Sequence, residues 1–140
     1  MELEDTEAVL AAPSAAVLIV YRADGTALTS PVWFAADRES VQLVIANGDP
    51  KLKRLHADAR CVFMAFEITP PFRGVRIEDR AALSQVGVDD ARLHISRRYL
   101  GDEAGRRYVK ERETPGTVVR LPLAAAHSWN LRAILPTEAI

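Results

Sequence analysis

Short apolar runs separated by turn residues dominate this chain, a pattern typical of antiparallel β structure. The clearest run, AAVLIVY at 15–21, is continuous and is therefore expected to be a buried strand. Asp24 and Gly25 follow it as the kind of turn signal that closes hairpins. The pattern predicts six or seven strands, in the segments 15–21, 27–35, 40–46, 60–66, 73–84, 117–123 and 126–132.

Helical signals appear in four segments, at 3–12, 50–56, 89–100 and 102–112. Gly101 suits the end of the third helix because glycine is favoured just beyond a helix C-terminus. Pro31 lies inside the second predicted strand and cannot donate to a ladder, which indicates a sheet edge or a bulge. Together these elements predict one mainly β domain over residues 1–140, a closed or nearly closed antiparallel barrel with short helices.

Composition narrows the functional classes. The chain has 140 residues and is 49% hydrophobic, enough for one real core. A net charge of −1 argues against a nucleic-acid or membrane-surface role, since both usually need a strongly basic field. No segment is long enough to span a membrane, and the start is acidic (Glu2, Glu4, Asp5), unlike a secretory signal. A cytoplasmic protein is therefore expected.

The segment DPKLKR combines helix-start signals with three cations. Asp49 suits an N-cap and Pro50 the first helical position, and Lys51, Lys53 and Arg54 follow at once. Cations there oppose the helix dipole. One interpretation is an anion held by free backbone N–H groups and the lysines together. The other is a solvated basic turn offset by Asp49.

Other chemical constellations are not apparent in the sequence. His56, His94 and His127 lie in separate segments without metal-ligand spacing. The single cysteine, Cys61, excludes an intrachain disulfide and is expected to be a small buried hydrophobe. No nucleophile elbow or glycine-rich phosphate loop is present. The pairs at 97–98 and 106–107 are interpreted as solvated arginines on helix faces. The catalytic residues remain unassigned.

Four segments carry a family resemblance: SPVWF at 30–34, KLKRL at 51–55, PPFRGVRIEDRAAL at 70–83, and RRYLG at 97–101 with SWNL at 128–131. In this order they resemble the pyridoxamine 5′-phosphate oxidase-like superfamily, the split β-barrel flavin and deazaflavin proteins. Two positions depart from the family pattern. Asp79 stands where the family has a glycine suited to a bulge or positive φ, and Arg54 stands where it has asparagine.

The resemblance implies an FMN-binding split β-barrel that forms a homodimer, with the cofactor in a groove between the subunits. Basic residues of the short helix would hold the phosphate, the 31–34 strand would offer its backbone to the ring, and C-terminal residues would close the site from the partner chain. The implied cofactor-binding residues are Lys51, Lys53, Arg54, Pro31, Val32, Trp33, Phe34, Trp129 and Arg132. Core or interface packing is the alternative for the last two. Trp33, Phe34 and Trp129 are also expected to lie beyond the small core, which favours a dimer.

Three functional hypotheses follow. The first is an oxidoreductase that moves a hydride between FMN and a small organic substrate, with a deazaflavin coenzyme as the alternative cofactor. The second is a non-catalytic storage or sensor module of the same fold that binds a flavin or haem. The third is a structural relative without a cofactor. The sequence does not identify the substrate.

Overall fold

Two antiparallel sheets form the framework of the protein. The computed structural model describes residues 2–140, which contain nine strands and four α-helices. The strands are β1 (Ala15–Tyr21), β2 (Ala27–Pro31), β3 (Ala35–Ala36), β4 (Ser40–Ala46), β5 (Arg60–Phe66), β6 (Gly74–Arg80), β7 (Ala82–Ser84), β8 (Gly116–Pro122) and β9 (Ala126–Trp129). The helices are α1 (Glu2–Ala11), α2 (Pro50–Ala57), α3 (Val88–Leu100) and α4 (Asp102–Glu111).

The two sheets do not close into one barrel. One has five strands in the order β2-β1-β5-β6-β9, and the other has four in the order β3-β4-β8-β7. No strand pair among residues 2–140 joins the sheets, so the prediction of a closed or nearly closed barrel is wrong in its closure, and two separate antiparallel sheets are present. The chain crosses between the sheets four times: from β2 to β3, from β4 to β5, from β6 to β7 and from β8 to β9.

Two of these crossings, from β2 to β3 and from β6 to β7, explain why nine strands occur where six or seven are predicted. The predicted strand at 27–35 leaves strand geometry at 32–34, and the one at 73–84 is interrupted at Ala81. Periodicity gives no sign of either break, because apolar residues continue through a strand that changes sheet. Pro31 is the last residue of β2, an edge strand, which confirms the edge interpretation.

The core lies between the inner faces of the sheets. Alternate residues of β1 are buried in the order expected for a strand with one face inward, and β4 shows the same alternation. α1 contacts β9, β6 and β3, while α2 contacts β1 and β4. Both helices contribute buried side chains to the core: Val9, Leu10, Leu52 and Leu55. Phe34 is also in this core and is 0% exposed, so the prediction that it lies beyond the core is wrong.

α3 lies against β4 and β8, and α4 packs closely against α3. Gly105 of α4 makes this approach feasible: a Cβ there would lie only 2.7 Å from the Cα of Arg97. Gly101 joins the two helices with φ +88°, a conformation that favours glycine. None of the helices in the described chain is long and apolar enough to cross a membrane.

The backbone irregularity suggested by the family pattern lies elsewhere. Asp79 belongs to the regular strand β6 and pairs with Cys61, so it does not occupy a bulge. Positive φ occurs instead at Phe72, in the loop between β5 and β6, where φ is 56°. Glu67 and Arg73 bridge the two ends of this loop with an ion pair at 2.5 Å. The loop is therefore fixed at its base by charge-assisted hydrogen bonds.

Candidate functional site

A cleft of about 610 Å³ lies between the crossing from β2 to β3, the start of α2 and the pair α3–α4. This volume falls within the roughly 300–1,000 Å³ usual for small-molecule sites. The cleft is lined by Pro31, Val32, Trp33, Val44, Ile45, Ala46, Asp49, Lys51, Arg92, Ile95, Ser96, Tyr108, Glu111, Arg112 and Thr114. Its residues therefore come from both a sheet edge and two helices that are distant in sequence.

The crossing segment 31–34 forms one wall of the cleft, and part of its backbone already has partners. The Val32 N–H donates to the carbonyl of Ala16 at 3.0 Å. The Phe34 carbonyl accepts from Arg98 Nε at 3.1 Å. Of the residues predicted for the ring site, Pro31, Val32 and Trp33 line the cleft, whereas the Phe34 side chain lies in the core.

Three aromatic rings meet at the helical side of the cleft. Trp33 stacks on Tyr99 with ring centroids 5.2 Å apart and planes 9° apart. Tyr108 meets Trp33 in a tilted arrangement at 5.3 Å. The Arg112 guanidinium lies over the Tyr108 ring, 4.8 Å from its centroid. Trp33 is 36% exposed, so its indole can report on a ligand in the cleft.

The start of α2 contains the predicted N-cap. Asp49 Oδ1 accepts from the Lys51 backbone N–H at 2.8 Å, and its Oδ2 pairs with Lys51 Nζ at 2.9 Å. The N–H groups of Leu52 and Lys53 donate to the Asp49 carbonyl. Burial raises the pKa of Asp49, but the hydrogen bonds and charge of Lys51 outweigh it and hold this pKa below its ordinary value. Asp49 therefore already accepts hydrogen bonds from Lys51 and from the backbone N–H groups that were proposed to bind an anion. An anion would have to compete with the Asp49 carboxylate for Lys51.

Lys51 alone of the three predicted phosphate ligands lines the cleft. Its side chain is only 17% exposed. Lys53 is exposed on the helix surface and does not line the cleft. Arg54 points toward the end of β1, where its Nε donates to the Tyr21 carbonyl at 3.0 Å. The helix therefore separates cations that are adjacent in sequence.

The two C-terminal candidates lie away from the cleft of their own chain. Trp129 pairs with Gly74 across β6 and β9, and its ring covers that glycine so closely that a Cβ would meet it at 1.9 Å. Arg132 is exposed in the short 3₁₀ turn Arg132–Ile134. Whether either residue closes a second copy's cleft stays a prediction.

The helical wall was missed by sequence reasoning. Arg92, Ile95 and Ser96 lie within two turns of α3, while Tyr108 and Arg112 are four residues apart at the end of α4. Helical spacing shows that such residues share a face. Nothing in that spacing shows that the face is opposite Trp33 rather than toward solvent.

The arginine pairs are only partly as predicted. Arg106 and Arg107 are exposed, as expected for a solvated face. Arg98 is not: its guanidinium donates to the carbonyls of Phe34, Leu10, Ala11 and Ala12. Burial lowers its pKa from the ordinary value. Arg98 therefore connects α3 to the end of α1 and to the crossing from β2 to β3 instead of facing water.

The remaining reactive side chains do not form a second site in the described chain. Cys61 is buried, as predicted, and burial raises the pKa of its thiol to about 12. His56, His94 and His127 are all exposed. No group of three His, Cys, Asp or Glu residues within 2–140 is placed to hold a metal ion.

Comparison with known proteins gives a result at the level of structure only. No protein-family model matches the chain, and no curated protein matches it in sequence. A conserved hypothetical protein from Mycobacterium tuberculosis superposes with a TM-score of 0.82 at 20% identity, covering 100% of this chain and 92% of that one. The similarity to it therefore extends over essentially the whole fold.

Two further solved structures name an activity. A protein described as an F420 reductase superposes with a TM-score of 0.66 at 18% identity, over 83% of this chain and 91% of that chain. A candidate pyridoxamine 5′-phosphate oxidase from Listeria innocua has a TM-score of 0.64 at 16% identity, over 93% of this chain and 98% of that chain. At such identities the likeness establishes the fold and not the reaction. The chain therefore has the two-sheet fold of the pyridoxamine 5′-phosphate oxidase-like flavin-binding proteins, as its sequence motifs predict.

Proposed function

We propose that this protein binds a flavin or a deazaflavin in the cleft beside Trp33 and uses it to transfer a hydride to or from a small organic substrate. The observation that carries the proposal is the cleft itself, which combines the 31–33 crossing segment, the half-buried Lys51 and aromatic rings in one cavity. The F420 reductase among the structural neighbours supports a redox role, since F420 is a deazaflavin. FMN is the cofactor proposed first, with the deazaflavin as the alternative.

The residues of the cleft fit such a cofactor in size and chemistry. About 610 Å³ is sufficient for a tricyclic ring with a short tail. Lys51 offers a cation for a phosphate, and Trp33 and Tyr108 offer apolar surface for a ring. A bound flavin supplies the hydride chemistry, whereas the protein supplies binding, orientation and electrostatics. Because the flavin would supply the hydride chemistry, the proposed reaction requires no nucleophilic side chain and no metal ion from the protein.

The pair Asp49–Lys51 sets a condition on phosphate binding. Lys51 Nζ would have to share or leave the Asp49 carboxylate to contact a phosphate. A partly buried charge pair resists this exchange unless the new partner forms equally good hydrogen bonds. We therefore expect phosphate binding to be weaker at this helix than at a helix with free N–H groups.

Ligand titration followed by fluorescence tests the proposal. Trp33 lines the cleft and Trp129 lies outside the cleft of its own chain, so the titration is made in wild-type protein and again in a Trp129→Phe background, where the tryptophan signal comes from Trp33. FMN or the deazaflavin should quench this signal saturably, and the reduced complex should pass a hydride to a quinone or nitro-aromatic acceptor. Failure of both cofactors to bind at millimolar concentration, where affinity is only about −4 kcal/mol, contradicts the proposal. Tight binding without transfer to any acceptor supports the storage or sensor role instead.

Lys51 and Lys53 should differ strongly in their effect on cofactor affinity. We expect Lys51→Ala to weaken FMN binding at least about tenfold, because a charge-assisted hydrogen bond contributes roughly 1.5–3 kcal/mol. Lys53→Ala should change it less than about twofold, since that side chain is outside the cleft. Calorimetric titration of both variants with FMN measures the difference.

Riboflavin is the control ligand because it lacks the phosphate. Its affinity should be the same for wild-type protein and for Lys51→Ala. Equal losses for FMN and riboflavin would mean that Lys51 supports the local fold through Asp49 rather than the phosphate. Equal losses of FMN for the two lysine variants would contradict the assignment to the cleft.

We also propose that the protein is a homodimer through the outer face of the five-stranded sheet. This outer face consists of the half-buried alternate residues of β1 and β5, Val17, Ile19, Met64 and Phe66, with Val62, only 7% exposed, between them. Apolar residues that are contiguous across neighbouring strands usually mark an interface. In such a dimer Trp129 or Arg132 of one copy is proposed to close the cleft of the other.

A charge placed in the outer face should separate the subunits. We expect Met64→Asp to convert a dimer to a monomer in size-exclusion chromatography with light scattering, because a buried unpaired carboxylate costs several kcal/mol. Val86→Asp, an 80% exposed position between β7 and α3 and away from the five-stranded sheet, is the matched control and should leave the dimer intact. A wild-type protein that is monomeric at micromolar concentration contradicts the proposal.

A further inference from the structure

Arg92 is a half-buried cation for which residues 2–140 provide neither an ion pair nor a hydrogen bond. It lies on α3 and forms part of the wall between two cavities, the cleft beside Trp33 and a second cavity of about 760 Å³. The guanidinium is close to Gly116, where a Cβ would meet its Nη2 at 2.4 Å. The other cations packed into the middle of the molecule differ from it, because Lys51 pairs with Asp49 and Arg98 with backbone carbonyls.

A guanidinium has five N–H donors in a planar fork that matches a carboxylate or a phosphate. No buried side-chain nitrogen or oxygen of the described residues lacks a hydrogen-bond partner, so the nitrogens of half-buried Arg92 are open to the cavities rather than enclosed. Five carboxylates line the cavities that Arg92 borders, yet none forms a salt bridge with it: Asp49 and Glu111 at the cleft, and Asp89, Asp90 and Glu113 at the second cavity. The cation is therefore held at the cavity wall with its donors unused.

We propose that Arg92 binds the anionic group, a carboxylate or a phosphate, of the aromatic ligand that occupies the cleft. The cleft gives such a ligand apolar surface at Trp33 and Tyr108 and a cation at Arg92. If the anionic group belongs to the substrate, the substrate of this protein is an aromatic or conjugated acid. If it belongs to the cofactor, the cofactor has a phosphate that reaches past α2. The identity of the ligand rests on the proposed function, whereas the anion site itself does not.

The first experiment uses inorganic phosphate alone. Phosphate should raise the midpoint of thermal unfolding of the wild-type protein above that in sodium chloride of equal ionic strength, because a ligand that binds only the native state stabilises it. Arg92→Gln should lose this rise. Without phosphate, Arg92→Gln should unfold at nearly the same temperature as wild type, since the substitution removes no ion pair and no hydrogen bond. A variant that is less stable and still gains from phosphate would overturn the proposal.

Arg106→Gln is the matched control for this experiment. Arg106 is an exposed arginine of α4 that lines neither cavity. It removes the same charge from the molecule, so any general effect of net charge on phosphate stabilisation appears in both variants. Equal losses in the two variants would show a diffuse charge effect and would overturn the assignment to Arg92.

Two matched ligand pairs then identify the source of the anion. FMN and riboflavin differ by a phosphate, and 4-nitrobenzoate and 4-nitrobenzamide differ by a carboxylate charge. Arg92→Gln should weaken the charged member of one pair at least about tenfold, a change of about 1.4 kcal/mol, and leave its neutral partner unchanged. A loss in the first pair assigns the site to the cofactor and a loss in the second to the substrate. Equal losses for charged and neutral ligands, or no loss in either pair, would overturn the proposal.

These outcomes separate the anion site from the proposed function. Phosphate stabilisation that depends on Arg92, in a protein that binds no flavin, would retain the anion site and remove the flavin. If Arg92→Gln leaves flavin binding and hydride transfer unaffected in every assay, the proposed function is retained and the anion site at Arg92 is removed. Arg92→Lys adds a check on geometry, because an ammonium keeps the charge but loses the bidentate fork. It should recover only part of the anion affinity.

Discussion

Replacing Phe34 by alanine should reduce the free energy of unfolding by about 3–5 kcal/mol, the range for a large aromatic side chain removed from a core. Phe34 is 0% exposed and meets Phe63 edge to face, with ring centroids 5.2 Å apart. Arg98 lies over its ring at 5.3 Å and Tyr99 approaches its edge. Such a loss is a large fraction of the roughly 5–15 kcal/mol that stabilises a typical domain. Urea unfolding followed by circular dichroism measures it.

Ile68→Ala provides the matched control for this prediction. Ile68 is 78% exposed, so its truncation should change stability by less than about 0.5 kcal/mol. Phe34→Leu tests the functional question, because it keeps most of the core volume. This variant should bind FMN like wild type if Phe34 is a core residue. A folded Phe34→Leu protein with weakened FMN binding would instead return Phe34 to the cofactor site.

Replacing Arg98 by methionine should reduce stability by on the order of 3 kcal/mol, because hydrogen bonds to a charged donor contribute roughly 1.5–3 kcal/mol each. Its guanidinium binds the carbonyls of Leu10 and Ala12 at the end of α1 and of Phe34 before β3. A cation is also favourable at a helix C-terminus. One side chain thus ties α3 to two other elements, and thermal or urea unfolding measures its contribution.

Two variants define what Arg98 contributes. Arg98→Lys keeps the charge but not the planar fork, so it should recover only a minor part of the loss. Arg107→Met removes an exposed arginine whose pair with Glu103 is 3.7 Å long. Such pairs contribute little, so this control should stay within about 0.5 kcal/mol of wild type. If the Arg98→Met and Arg107→Met proteins are equally stable, the hydrogen bonds of Arg98 make no net contribution to the free energy of unfolding.

Arg98 and Phe34 also determine where the wall of the cleft stands. Arg98 and Tyr99 are neighbours on α3, and Tyr99 donates to the Ser14 carbonyl at 2.9 Å while stacking on Trp33. These contacts hold α3 against the crossing from β2 to β3. Arg92 lies two turns earlier on the same helix, so its position at the cavity wall depends on this anchorage. Stability of the core and shape of the site are therefore coupled through one helix.

Some residues of the cleft can be recognised from short sequence motifs, whereas others give no signal in the sequence around them. Lys51 and the 31–33 segment were found from motifs that act over a few residues, and both line the cleft. Lys53 and Arg54 were grouped with Lys51 by sequence adjacency, but a helix turns successive residues by about 100°, so they leave in other directions. The pairing of Lys51 with Asp49 agrees with the alternative interpretation, a basic turn offset by Asp49, although the Lys51 side chain is only 17% exposed rather than solvated. Arg92, Tyr108 and Arg112 gave no local signal at all.

The sequence by itself determined the elements of this protein. The inward alternation of β1, the N-cap at Asp49, the edge position of Pro31 and the glycine between α3 and α4 all follow from local rules of periodicity, capping and turn chemistry. Only the tertiary structure decided which strands change sheet, that Phe34 and Arg98 are internal, and that α3 and α4 form the wall of a cleft. The physical reason is that these features arise from contacts between residues such as Phe34 and Arg98, which are distant in the chain, and local patterns contain no information about the partner.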